Sequence, residues 1–106
     1  MISWKAASSA IRAAIRRVVD MRIEKKVWPE FFAQLKSGEK TFELRLADFE
    51  CRQGDTLVLR EWDQKTKQYT GKSLEKKVGY VLKTKDVKFF TKEDVEKFGF
   101  QVISLK

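Results

Sequence analysis

The chain has no histidine and a single cysteine, Cys51. These shortages exclude a Ser-His or Cys-His nucleophile and an internal disulfide, and they leave too few soft ligands for zinc. No metal and no cofactor are expected. A lone thiol fits a reducing compartment, so the cytoplasm is the expected location. Proline occurs once, at Pro29, and glycine five times, with no repeat or linker-like tract between them. No apolar run approaches the ~20 residues of a membrane-spanning helix. Acids are in the minority: 15 against 23 lysines and arginines, a formal net charge of +8. Such an excess favours a polyanionic partner, nucleic acid above all, although interspersed acids are also the mark of a basic solvated surface.

What is present amounts to one domain. A chain of 106 residues with a hydrophobic fraction of 42% can bury a single core. Residues 1–20 read as an N-terminal extension and residues 21–106 as the domain proper. From residue 4 to about 20, Ala7, Ile11, Ala14, Ile15, Val18 and Val19 recur at three and four, with Lys5, Arg12, Arg16 and Arg17 on other faces. That is a basic amphipathic helix. Three readings of it stand open: a helix that docks on the domain or on a second copy to make a homo-oligomer, a dispensable extension ahead of a start at Met21, or a targeting segment.

Residues 22–27 alternate and predict a first strand. Pro29 suits the first turn of a helix, where its missing N–H costs nothing, and Phe31, Phe32 and Leu35 form the expected buried stripe up to a stop at Gly38. From Thr41 the alternation resumes: Phe42, Leu44 and Leu46 point one way, Thr41, Glu43 and Arg45 the other. Gly54-Asp55 is a turn signal before a strand over 56–62, with Leu57, Leu59 and Glu61 on one face and Val58 and Arg60 on the other. Residues 64–72 read as a hairpin loop. Residues 73–83 read as a strand with Val78, Tyr80 and Leu82 on one face and, at Gly79, a bulge or a close backbone approach. Thr91 caps a short helix carrying Val95 and Phe98 and ending at Gly99, and residues 100–105 close the chain as a last strand. The expected class is α+β, mainly β: about five mostly antiparallel strands with two or three helices, curled into a small barrel to hide the edges.

The chemistry gathers at Gly38-x-Lys40-x-x-Glu43-x-Arg45. Lys40 shares the parity of the apolar set, so its charge needs a partner or a ligand. It is a candidate phosphate or base contact, a candidate general base, or the ion-pair partner of Glu61. Glu43 and Arg45 either neutralise each other or form a polar pocket. In a pocket the carboxylate accepts from a base amino group, and the guanidinium holds phosphate or carbonyl oxygen. Trp62 with Tyr69 is either a base-stacking pair or core. Lys65, Lys67 and Lys72, and again Lys76, Lys77, Lys83, Lys85 and Lys88, either track a phosphate backbone or lie solvated. Glu61 and Asp63 form a candidate acid/base pair, with turn capping by Asp63 as the plain alternative.

From Trp28 to Leu105 the chain resembles the ASCH superfamily, whose fold is a PUA-like β-barrel. The family pattern G-x-K-x-x-E-x-R is met at Gly38, Lys40, Glu43 and Arg45. The wider string is similar to a small uncharacterised branch through Phe31-Phe32, Gly54-Asp55, Arg60-Glu61-Trp62-Asp63, Tyr69-Thr70-Gly71 and Gly99 to Leu105. It departs from that branch in lacking a histidine in the first strand and in carrying Leu46-Ala47-Asp48-Phe49 where the branch has an Asn-Asp-Arg segment. The resemblance implies an RNA- or nucleotide-binding module, with a base or nucleotide in a cleft lined by Gly38, Lys40, Glu43, Arg45, Arg60, Trp62 and Tyr69. An alternative is an amidohydrolase on an acetylated nucleoside, with Lys40 as base and Glu43 or Glu61 orienting it. Family amidohydrolases carry threonine where this chain has Glu43. A second alternative is an interaction domain that oligomerises through its first helix.

Overall fold

The computed structural model describes residues 5–105. The predicted helix onset at residue 4 and the faces assigned to the side chains of Arg16, Arg17 and Val18 lie outside the described residues. Helix α1, Ser9–Val18, starts where Ser8 accepts the Ile11 N–H at 3.2 Å. Ile11 and Val19 remain exposed. No helix among the described residues is long and apolar enough to cross a membrane.

Strand β1, Arg22–Val27, follows the expected alternation: Ile23, Lys25 and Val27 are covered, while Arg22, Glu24 and Lys26 are exposed. Lys25 is the one charge on the covered side, and its ammonium lies 3.6 Å from the ring centroid of Phe49. Pro29 then opens helix α2, Pro29–Ser37, and Gly38 ends it at φ 84°, a conformation a side chain would strain. Phe32 and Leu35 from α2 meet Val27 and Leu59 in the core, with Leu57 and Leu74 packed against them. A nine-residue helix is marginal alone, and this buried face is what holds it. Leu59 is fully buried, so Leu59→Ala is expected to lower unfolding stability by about 3 kcal/mol in a urea titration.

Strand β2, Thr56–Asp63, runs parallel to β1 (Ile23 opposite Leu57, Val27 opposite Glu61). Strand β3, Gln68–Lys77, runs antiparallel to β2 (Leu59 opposite Leu74, Trp62 opposite Tyr69), with a register shift between Arg60 and Trp62. The sheet order is β1-β2-β3. A 3-10 turn over Thr84–Asp86 leads to helix α3, Lys92–Phe98, capped by Thr91, which accepts the Asp94 N–H at 3.1 Å.

One buried carboxylate ties the strand ends together. Asp55 is 0% exposed; its Oδ1 accepts the Met21 N–H at 2.9 Å and its Oδ2 the Arg52 N–H at 2.9 Å. Thr56 N–H donates to the Met21 carbonyl and Val78 N–H to the Asp55 carbonyl, each at 2.8 Å. The turn residue of the sequence is thus the knot joining all three strands. On the open face, Arg22 and Glu75 form an exposed ion pair. The hydrogen bond from Arg22, and then its charge, hold the Glu75 carboxyl below the usual carboxylate range. A lowered folded value means the contribution is present above the ordinary carboxylate range and is lost as pH falls through the lower value. The Glu75 side-chain titration followed by NMR should therefore move up in Arg22→Ala, with little change in stability because the pair is solvated.

Among the described residues the expected five-stranded barrel does not form: the sheet is open and has three strands, although the α+β character stands. Residues 41–46 alternate but join no ladder, as do residues 78–83 and 100–105. Alternation reports where side chains point; a strand also needs a backbone partner ~4.8 Å away. At the β1 edge the Lys26 carbonyl is taken by the Arg45 guanidinium at 2.7 Å, a side chain in the place of a neighbouring strand. β3 ends at Lys77 because its partner begins at Thr56. The ladder is irregular not at Gly79 but opposite Arg60–Trp62, where β3 holds the extra residues between Tyr69 and Ser73, and the hairpin loop is shorter than 64–72 because β3 already begins at Gln68.

Candidate functional site

The helix stop at Gly38 turns the chain back along α2, and the Lys40 N–H donates to the Gln34 carbonyl at 3.0 Å, pinning the start of the motif to the helix. Between this stretch, the end of β1 and the first turns of α2 lies a cavity of about 590 Å³. Its walls include Lys26 and Trp28 from the β1–α2 junction, Phe31 and Gln34 from α2, and Lys40, Phe42, Glu43 and Arg45 from the motif.

Within it Glu43 is the hinge of a three-residue charge network. Its Oε1 lies 3.6 Å from Lys40 Nζ and its Oε2 2.9 Å from Arg45 Nε. The Lys40 ammonium also sits 4.6 Å from the ring centroid of Phe31 and 5.2 Å from that of Phe42. The side chains of Lys40 and Glu43 are only 15% and 14% exposed, which places the pair in the wall and not in bulk solvent. Two cations against one carboxylate leave a net positive site with low water access, where an anion is attracted more strongly than at an open surface. Beside it, the rings of Trp28 and Phe31 lie 6.2 Å apart and 20° from parallel, each about half exposed. A cationic wall next to flat apolar rings suits a planar anionic ligand.

The sequence-predicted residues divide into two groups. Lys40, Glu43 and Arg45 come together in the pocket, with Gly38 acting through the backbone turn that aims them. Arg60, Trp62 and Tyr69 lie on the sheet face turned away from α2. There the Arg60 guanidinium is 3.7 Å from the Tyr69 ring centroid and 3.6 Å from Glu24, and Trp62 meets Tyr69 edge-on at 5.0 Å. Glu61 falls on the leucine face and is buried, yet its partner is the Thr70 hydroxyl, which donates at 2.6 Å, and not Lys40. Asp63 accepts the Lys65 N–H at 2.8 Å and so caps the hairpin turn. Glu61 and Asp63 thus each have a partner in the hairpin, and the carboxylate beside Lys40 is Glu43.

Sequence reasoning missed Trp28 and misassigned Phe31. On a helix, successive residues point ~100° apart, and here the core takes Phe32 while Phe31 faces the pocket. Trp28 precedes proline, which holds it extended (ψ 150°) at the helix mouth. A tryptophan in that position was the available signal. A second depression of about 720 Å³ lies between residues 38–51, β2 and residues 76–84. Its rim leaves Leu46, Tyr80 and Leu82 well exposed.

Residues 24–94 match the sequence profile of a domain of unknown function (DUF3850), two thirds of the chain, with all of the motif, both site groups and the sheet except the first two residues of β1. No curated protein and no solved structure matches the chain.

Proposed function

The chain belongs to the DUF3850 family, and we propose that it is a cytoplasmic RNA- or nucleotide-binding module that holds one base and its phosphate in the motif pocket. The observation that carries this reading is the juxtaposition of the Lys40–Glu43–Arg45 network with the near-parallel rings of Trp28 and Phe31. The rings offer a base a stacking wall, and the two cations offer a phosphate charge-assisted donors. Arg45 is braced by Glu43 and by the Lys26 carbonyl, so its guanidinium is held in one orientation before any ligand arrives. Such preorganisation lowers the cost of binding. The likeness of the motif to that of the ASCH superfamily points the same way, as does the net charge of +8.

A titration with nucleoside monophosphates and short single-stranded RNA, followed by NMR, tests the reading. Amide shifts are expected at Lys26, Trp28, Phe31 and Lys40 through Arg45, with Trp28→Ala lowering affinity about tenfold through lost stacking. A folded protein whose pocket amides stay unmoved across the whole panel would end it.

A further inference from the structure

We infer that the ligand is a single RNA strand longer than one nucleotide, running from the motif pocket over the end of β1 onto the sheet face that α2 leaves open. This rests on the pocket reading above and extends it to a second surface.

Lys26 joins the two places. It lines the pocket, and its ammonium lies 3.7 Å from the ring centroid of Trp62 and 5.7 Å from that of Tyr69. The face beyond sets two rings between two cations: Lys26 lies against Trp62, Trp62 against Tyr69 and Tyr69 against Arg60, across β1, β2 and β3. Its acids are already engaged. Glu24 lies 3.6 Å from Arg60, and Asp63 accepts from the amides of Lys65 and Thr66. Among the described residues Lys26, Lys65, Lys67 and Lys72 form no ion pair, so the hairpin end of this face carries uncompensated positive charge. Cations within reach of ring faces at an exposed site are held only weakly. A strand arriving here draws Lys26 and Arg60 to its phosphates and leaves the Trp62 and Tyr69 faces to its bases. An acidic peptide would satisfy the lysines but gives the rings nothing to stack on.

The test compares uridine monophosphate, oligouridylates of increasing length and an oligoglutamate of matched charge on the intact protein. Affinity should rise with length over the first few nucleotides. A Trp62→Ala, Tyr69→Ala double variant should lose about tenfold or more on the oligonucleotide, with mononucleotide affinity as the internal reference. Lys40→Ala should weaken both ligands. Because Trp62 is partly covered, Lys65→Ser with Lys72→Ser serves as a variant that leaves the sheet intact. Its oligonucleotide binding should show a salt slope smaller by about 0.7 per lost phosphate contact. Length-independent affinity, an unchanged salt slope, or equal binding of oligoglutamate would overturn the second surface while leaving the pocket standing. Oligonucleotide binding that is lost in the face variant yet indifferent to Lys40→Ala would overturn the pocket, and with it the shared path.

Discussion

A Lys40→Ala, Arg45→Ala double variant is expected to bind RNA or nucleotide about a hundredfold more weakly than the parent while keeping its fold. Each of the two side chains offers a charge-assisted donor to the ligand, a contact worth about 1.5–3 kcal/mol, and together they account for a loss of that order. Their removal also strips Glu43 of both partners, since that carboxylate lies 3.6 Å from Lys40 and 2.9 Å from Arg45. The pocket then changes from net positive to net negative, which repels the phosphate as well as failing to hold it. Neither side chain belongs to the core of Val27, Phe32, Leu35 and Leu59, so the urea midpoint should move little. Glu43→Gln separates two roles. If Glu43 acts mainly by offsetting the positive charge, neutralising it tightens phosphate binding even though Arg45 is less well held; if it accepts from a base amino group, binding weakens with a change in base preference. Calorimetric titration at fixed salt reads both variants, and an unaltered affinity in the double variant would sink the pocket as the binding site.

Asp55→Ala is expected to be the most damaging single substitution for stability, costing about 3–5 kcal/mol, a large share of what a domain this size possesses. The carboxylate is fully buried and accepts two backbone N–H groups, from Met21, 34 residues away, and from Arg52. Alanine leaves both donors without their acceptor at the point where β1, β2 and the end of β3 converge. Asn is not a remedy. It keeps the volume, but one carboxylate oxygen becomes an amino group facing an N–H, so donor meets donor. Both variants should shift the denaturation midpoint strongly with an unchanged m-value. A loss under ~1 kcal/mol for Asp55→Ala would mean that these bonds do not hold the strand ends.

Much of the chain was legible because local signals and tertiary packing agree. Pro29 and Gly38 bracket α2 where they should, since one lacks a donor the first turn does not need and the other tolerates φ 84°. The parity of β2 put Leu57, Leu59 and Glu61 on one side, and Glu61 is indeed buried among the covered positions. The site was half legible. Lys40, Glu43 and Arg45 were found by spacing and do share one cavity. Arg60, Trp62 and Tyr69 were grouped with them but occupy the other side of the sheet, because the alternation within β2 sends Arg60 and Trp62 away from α2. Trp28 was overlooked although its place ahead of Pro29 marks the helix mouth, because the segment that closes a pocket against it is settled only by tertiary packing.

The order of charges, rings and breakers along the chain settled where helices start and stop, which strand residues share a side, and which three ionisable groups crowd the motif. These are short-range properties, governed by φ/ψ preferences and by the periods of helix and strand. Only the tertiary structure decided which extended segments found a backbone partner, that Lys40 pairs with Glu43 in place of Glu61, and that the aromatic wall of the pocket is Trp28 with Phe31. Those outcomes depend on residues far apart in sequence meeting at distances of a few ångströms. The one-dimensional pattern carries the side-chain parity but not the identity of the neighbour.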